Sequence, residues 1–371
     1  MARILISANT FWYTYNFRLS TILRLQGMGH EVCVAAFSDD KYKNKIQKLG
    51  CSTFIIGVDA RSISIKKELF SIYKFVKVYK DIKPEIILSF TTKNNIYGSL
   101  ASYILRIPVI TNVSGLGRIF SSDSNLALRF LIKIILKSAL KCSEHVFFQN
   151  KDDLVTLGFD KKNISTKNSV LNGSGVDLKR FSFQGPASIK DESRFFFVGR
   201  FLKNKGILDF INVAYDLVND KRLRFFLVGY PVDGEVGIAE INKWVEDGVI
   251  EYLGDSDNVE NLLAEADCLI LPTIYGEGTP KSLIEGLALG KYIITYNTVG
   301  ARDTVIDGIN GVAVPQSNIS ALKQAVLDYS YFSHDKRLKA SLESRSLAES
   351  LYDQEHNIDS YVYEINNILN V

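Results

Sequence analysis

The chain is short of the residues that hold disulfides and metals. Only four cysteines occur in 371 residues, Cys33, Cys51, Cys142 and Cys268, with no close pair among them. That excludes a disulfide-stapled secreted fold, and reduced, buried thiols in a cytosolic protein are the expectation. The four histidines, His30, His145, His334 and His356, share no metal-ligand spacing. No apolar run reaches the roughly 18 residues of a spanning helix. The N-terminus, MARILISANT, enters a strand pattern at once and has no apolar signal-peptide core. Internal repeats and low-complexity segments are absent too, which leaves a cytoplasmic globular protein.

What is present is length and unevenly spread charge. At 371 residues the chain is too long for one typical core and predicts two domains. The net charge of +3 hides an asymmetry: residues 1–184 carry 27 Lys and Arg against 13 Asp and Glu, whereas residues 185–371 carry 17 against 28. The first half should favour anionic surfaces and the second should not. Two stretches concentrate the basic charge. In 65–83, Ile65, Leu69, Ile72, Val76 and Tyr79 follow helical spacing, with six lysines at other positions. In 126–141, Arg129, Lys133, Lys137 and Lys141 recur every fourth residue among Leu, Ile, Phe and Ala. Both suit docking on an anionic membrane surface, with lysine stems lying along apolar surface. Nucleic acid, the competing anionic partner, is not expected, because no binding motif accompanies the charge.

Strand signals alternate with helical ones. Candidate strands are Arg3–Ser7, Glu31–Phe37, Thr53–Val58, Glu85–Phe90, Pro108–Val113, His145–Asn150 and Ser169–Asn172 in the first half. Arg194–Gly199, Arg224–Gly229, Ile250–Leu253, Asp267–Leu271, Tyr292–Tyr296 and Gly311–Val314 follow in the second. The pattern argues for an α/β protein of two Rossmann-like, doubly wound domains facing a cleft, with ligands at the carboxyl ends of the strands. The expected divisions are 1–184, then 185–355 beyond a linker near Gly185-Pro186, then a terminal helix within 356–371.

The stretch from Leu271 to Gly290, LPTIYGEGTPKSLIEGLALG, organises the rest. It reads as a buried strand end, a glycine-rich loop, and a helix that Thr279 caps, with Pro280 at the first helical position and Gly290 at the stop. A helix N-terminus reached from such a loop suits a phosphate. Glu277 before the helix and Glu285 within it add hydrogen-bond acceptors, and acidic groups beside a phosphate site suit a nucleotide sugar. Glu277-x7-Glu285 with Gly278, Pro280 and the Glu285-Gly286 pair, continued by ITYNTVGARDTVIDGINGVAVP, resembles the signature of retaining, GT-B-fold glycosyltransferases of family 4. The resemblance spans nearly the whole chain and is nearest to bacterial enzymes that build polysaccharide repeat units on a lipid carrier.

The resemblance implies roles for particular residues. Arg200 and Lys205, around the turn after strand Arg194–Gly199, would hold the donor diphosphate and make a metal unnecessary. Their fork and point-charge geometries suit that task. With Glu277, which would bind the donor sugar, they form the expected catalytic set. Glu285 would bind the ribose, and Gly278, Thr279, Pro280 and Lys281 would line the phosphates. Gly229, Tyr230 and Gly254, at two strand ends, would frame the base. The Asp255-Ser256-Asp257 triplet resembles the metal site of another glycosyltransferase architecture, but turn formation and capping explain it better, and no metal is expected. Asn16 and Arg18 in NTFWYTYNFR, Lys93 and Asn94, and Ser114 and Gly115 form the expected acceptor set, with Arg18, Lys93 and Asn94 at the pyrophosphate. Many family members place a histidine in the loop that is Asn112–Gly117 here; this chain has none, so the departing phosphate itself would take the acceptor proton. The reading is a retaining transferase moving a hexose or N-acetylhexosamine from a nucleotide sugar, UDP-linked by preference, to a polyprenyl-diphosphate-linked saccharide in surface polysaccharide synthesis. The nucleotide sugar is a co-substrate, with no further cofactor. The enzyme would work at the inner face of the plasma membrane. The alternatives are a GT-B nucleotide-sugar epimerase and a silent sugar-nucleotide-binding scaffold.

Overall fold

The computed structural model describes residues 1–370 apart from 39, 60–64, 118–125, 161–166 and 187–191. By contacts the chain forms two compact units, Met1–Ser174 with Gln354–Val371, and Gly175–Asp353.

The first unit is built on a parallel sheet. Its strands are β1 (Arg3–Ser7), β2 (Glu31–Ala36), β3 (Ser52–Ile55), β4 (Ile86–Phe90), β5 (Val109–Val113), β6 (His145–Phe148) and β7 (Lys167–Val170), in the order β3-β2-β1-β4-β5-β6-β7. Helices cover both faces, so the central strands are apolar without alternation: Ile4, Leu5 and Ile6 are all fully buried. Local signals start the helices where the chain leaves the sheet. Thr10, in extended conformation, accepts from the Tyr13 N–H at 3.0 Å and caps Phe11–Gly27. The terminal helix Gln354–Leu369 buries Tyr361 and Ile365 in one core with Phe11, Phe90 and Phe147, which is why it counts with this unit.

The second unit repeats the plan with β8 (Ser193–Phe201), β9 (Leu223–Pro231), β10 (Glu251–Tyr252), β11 (Cys268–Leu271), β12 (Tyr292–Tyr296) and β13 (Gly311–Val314), ordered β10-β9-β8-β11-β12-β13. Paired phenylalanines hold β8 to β9. Phe195 stacks on Phe225 at 5.4 Å and Phe196 on Phe226 at 4.6 Å, each pair in register. Residues 175–186, which hold Gly185-Pro186, belong to this unit: Gln184 N–H donates to Leu289 O, and Arg345 Nη1 donates to Phe181 O at 2.9 Å.

Every candidate strand is found, with ends shifted by a few residues, and both basic stretches are helical, as Ile65–Ile82 and Leu126–Leu140. The phase of the first differs from the expectation. Its buried face runs through Ser71, Phe75, Tyr79 and Ile82, while Ile72 and Val76 are only half-buried and the side chains of 65 and 69 lie outside the described residues. Phe75 and Tyr79 fill space against Phe37 and the Ser7 hydroxyl that smaller residues would leave open.

Candidate active site

In an open doubly wound sheet, ligands bind beyond the strand carboxyl ends where the strand order reverses. In the second unit that point lies between β8 and β11. The end of β8 carries Arg200 and the loop after it Lys205; the loop after β11 carries Glu277 through Pro280. They are tied together. Ile274 N–H donates to Asn204 O at 3.0 Å, and the Thr273 hydroxyl donates to the same oxygen at 3.3 Å. Gly206 has φ +78, and a side chain there would place Cβ 1.9 Å from the Pro272 carbonyl oxygen. Only glycine lets these two loops touch.

The contact brings Lys205 and Glu277 together, with Nζ 2.8 Å from Oε1, both side chains mostly buried. Arg200 is exposed at the end of β8, opposite Tyr230 on β9. Beside it, Gly199 and Gly229 are paired so closely that a Cβ on Gly229 would lie 1.9 Å from the Gly199 oxygen. The Gly229 N–H donates to Gly254 O at 2.9 Å, and the Tyr252 hydroxyl donates to Gly229 O at 3.0 Å. Gly229, with Tyr230 next to it, and Gly254 therefore lie together at adjoining strand ends.

The helix after Glu277 starts at Lys281 rather than Pro280, and Thr279 does not cap it. Pro280 is the N-cap, its backbone extended at φ −60 and ψ 121, and no side chain caps the helix. The proline ring fixes φ and its carbonyl accepts the first helical bond, from Leu283 N–H at 3.1 Å, so Thr279 stands one residue too early. Gly286 lies against β11, where a Cβ would meet Leu269 Cδ1 at 2.3 Å. This close approach buries the neighbouring Glu285. Burial pushes its carboxyl up from 4.5 to about 7, against the opposing pull of Lys281, 4.0 Å away, and of Arg180. A buried carboxyl held up in this way gains from any hydroxyl that donates to its ionised form.

Two contributors escaped the sequence reading. Arg180 donates to Glu260 at 2.7 Å and to Asp257 O at 2.6 Å, and its charge reaches Glu285. Its position before Gly185 had assigned it to the other domain. Gly300 has φ +81, and its Cβ would lie 2.0 Å from Gly278 O, so it forms the wall behind the Glu277-Gly278 loop. It stands within the family-like string, in TVGAR, with no role of its own legible there. In the aspartate triplet, the Ser256 hydroxyl accepts from Asn258 N–H and Asp257 O is held by Arg180. Among the described residues, no three His, Cys, Asp or Glu gather as a metal cluster.

In the first unit the order reverses between β1 and β4. Arg18 is not presented to solvent. It is 1% exposed, with Nη2 donating to the Tyr13 hydroxyl at 3.1 Å and its guanidinium 4.2 Å over the Phe90 ring. Asn94 is also buried and accepts from the Ser7 hydroxyl at 2.8 Å. Lys93 is ion-paired with Glu68 at 2.8 Å, and Asn16 donates to Trp12 O. Thr91, at φ 76, and the π-helical turn Asn94–Gly98 mark irregular backbone at this strand end. Ser114 and Gly115, half-buried, follow β5, and Gly115 has φ +110.

Comparison with known proteins gives this geometry its class. The crystal structure of Anabaena HepE in complex with UDP and glucose matches with a TM-score of 0.75 at 15% identity, over 99% of this chain and 100% of that one, which shows a shared GT-B fold. Residues 192–330 match the family described as glycosyl transferases group 1, and residues 3–150 match glycosyl transferase 4-like. The N,N'-diacetylbacillosaminyl-diphospho-undecaprenol alpha-1,3-N-acetylgalactosaminyltransferase of Campylobacter jejuni is 26% identical over 361 residues, 92% of each chain. The UDP-Gal:alpha-D-GlcNAc-diphosphoundecaprenol alpha-1,3-galactosyltransferase of Escherichia coli is 24% identical over 298 residues, 74% of this chain and 73% of its own. The chain belongs to the group 1, family 4 glycosyltransferases.

Proposed function

We propose that the protein transfers a hexose or N-acetylhexosamine from a UDP-sugar to a polyprenyl-diphosphate-linked saccharide, with retention at the anomeric carbon and without a metal. The Lys205–Glu277 pair at the β8–β11 switch point carries the proposal. A cation and a carboxylate held 2.8 Å apart offer one group to the leaving diphosphate and one to the sugar hydroxyls. Arg200 adds a second cation to the diphosphate, Glu285 accepts from the ribose, and the backbone from Gly278 to Lys281 lines the phosphates. The bond from C1 to the diphosphate oxygen breaks while the acceptor oxygen bonds C1 on the same face, and the acceptor proton goes to the departing phosphate. Lys205 and Arg200 then stabilise the charge that remains.

Relatives named for undecaprenyl-diphosphate-linked acceptors support the acceptor class, and no observation favours an epimerase or a silent scaffold. Lys93, Asn16, Ser114 and Gly115 stay the proposed acceptor set, whereas Asn94 and Arg18, both buried, would act from within the fold and not by direct contact. Membrane docking is supported by the helix Leu126–Leu140, which exposes Leu126, Phe130, Leu131, Ile134 and Ile135, with the half-buried Arg129 and Lys133 beside them. No helix among the described residues is long and apolar enough to cross a membrane. Radiolabelled UDP-hexoses and UDP-N-acetylhexosamines, offered with a polyprenyl-diphosphate saccharide in EDTA, test the proposal. Lipid-soluble label with the donor's anomeric configuration is expected; hydrolysis alone, an inverted product, or a strict metal requirement overturns it.

A further inference from the structure

The second unit holds another cavity, which shares no lining residue with the loops after β8 and β11. It runs from Tyr292, which opens β12, along Val312 and Val314 of β13, whereas Lys205 and Glu277 follow the carboxyl ends of β8 and β11. The cavity measures about 820 Å³ and lies against β13, the edge strand of the sheet. Three aromatic side chains, Tyr292, Tyr331 and Phe332, line it together with Asp307, Asp328 and Gln324.

These side chains are arranged for a polyhydroxylated ligand. Tyr331 is 70% exposed, and the Arg222 guanidinium, 5.4 Å over one face, steadies the ring. Gln324 Nε2 donates to Asp328 Oδ1 at 2.7 Å and fixes that carboxylate at the rim. Tyr292 is only 5% exposed, its ring held by Tyr329 at 4.9 Å and Phe332 at 5.6 Å. Burial disfavours ionisation of its hydroxyl, with smaller contributions from Cys268, Asp307 and Asp328. A hydroxyl at a cavity wall can bond to what enters the cavity. Lys336 Nζ lies 3.5 Å over the Phe332 ring, so the Tyr331 face is the one left to cover the apolar side of a pyranose, while Asp307 and Asp328 can accept from its hydroxyls.

We propose that this cavity is a saccharide-binding site separate from the donor site, taking a neutral sugar with vicinal hydroxyls at the end of a glycan chain. The choice of a glycan rests on the transferase reading, since such an enzyme works among glycan chains. The open cavity suits a chain end rather than an enclosed cofactor. It would hold a glycan against the enzyme without presenting it for reaction.

Saturation-transfer NMR on the full chain tests this, with maltotriose and tri-N-acetylchitotriose as probes and UDP present. Transfer to the ring protons of at least one probe is expected. It should fall at least fivefold in Tyr331→Ala and in Asp328→Asn, both at exposed positions, and persist in Glu285→Gln. No transfer to either probe, or transfer unchanged in the two rim variants, overturns the proposal. So does transfer lost in Glu285→Gln alone, which would put the sugar in the donor site. A failed transferase reading shows separately, as absent label transfer from UDP-sugars.

Discussion

Glu285 carries the clearest consequence at the scale of a single residue. Its folded carboxyl is held near 7 whereas an unfolded one titrates near 4.5. The folded state therefore keeps a proton that the unfolded state has lost, and the stability this carboxyl contributes declines as pH rises from about 4.5 to about 7. Glu285→Gln removes the titration. Its unfolding free energy, compared with that of the parent in urea titrations, should gain progressively between pH 5 and 7.5, by an amount on the order of 1–3 kcal/mol. A pH-independent difference would refute the buried-carboxylate account. Donor hydroxyls favour the ionised form, so calorimetry should find UDP-sugar affinity in the parent rising across the same range, with the variant weak throughout. Gly206 makes a second prediction. Gly206→Ala adds a Cβ to a left-handed backbone against the Pro272 oxygen, and should cost roughly 2 kcal/mol or more in urea unfolding. An unchanged midpoint would mean the two loops part at little cost.

At the scale of elements, the helix Leu126–Leu140 invites a direct test. Phe130 is 67% exposed and Ile134 46%, one turn apart, with Arg129 and Lys133 beside them. Apolar insertion and headgroup attraction are separable. Phe130→Ser with Ile134→Ser should weaken sedimentation with anionic vesicles about tenfold or more in a way that salt does not mimic. Lys133→Glu should act mainly at low salt. Binding indifferent to both changes would leave this face to another partner. Strands were legible because turn signals bound short apolar runs, and the strand-to-helix loops after β8 and β11 because their glycines and prolines follow one another in sequence. The phase of Ile65–Ile82 was not legible, since Tyr79 suits either face and only the space beneath the sheet selects Phe75 over Val76. Nor was the burial of Arg18 legible, because one of its hydroxyl partners, Tyr361, lies 343 residues away.

At the scale of the whole molecule, Tyr361 joins the two ends of the chain. Its hydroxyl accepts from Asn112 Nδ2 at 2.7 Å, and its ring meets Phe147 edge-on at 5.1 Å. Tyr361→Ala opens a cavity and leaves Asn112 and Arg18 short of a partner, so a loss of about 3–5 kcal/mol is expected in denaturant titration. Tyr361→Phe should lose only the hydrogen-bonding part, about 1–2 kcal/mol. Equal losses would show that the hydroxyl, not the ring, holds the terminal helix.

The first unit is assembled from both ends of the chain, and synthesis on the ribosome is vectorial. Residues 1–174 emerge without the helix that completes their core, and the whole of Gly175–Asp353 must follow before Gln354 appears. At roughly 5–20 residues per second, that interval lasts roughly 10–35 s. The second unit can fold meanwhile as a contiguous segment. The first waits with part of its aromatic core uncovered, which makes the nascent first half the segment most in need of a chaperone.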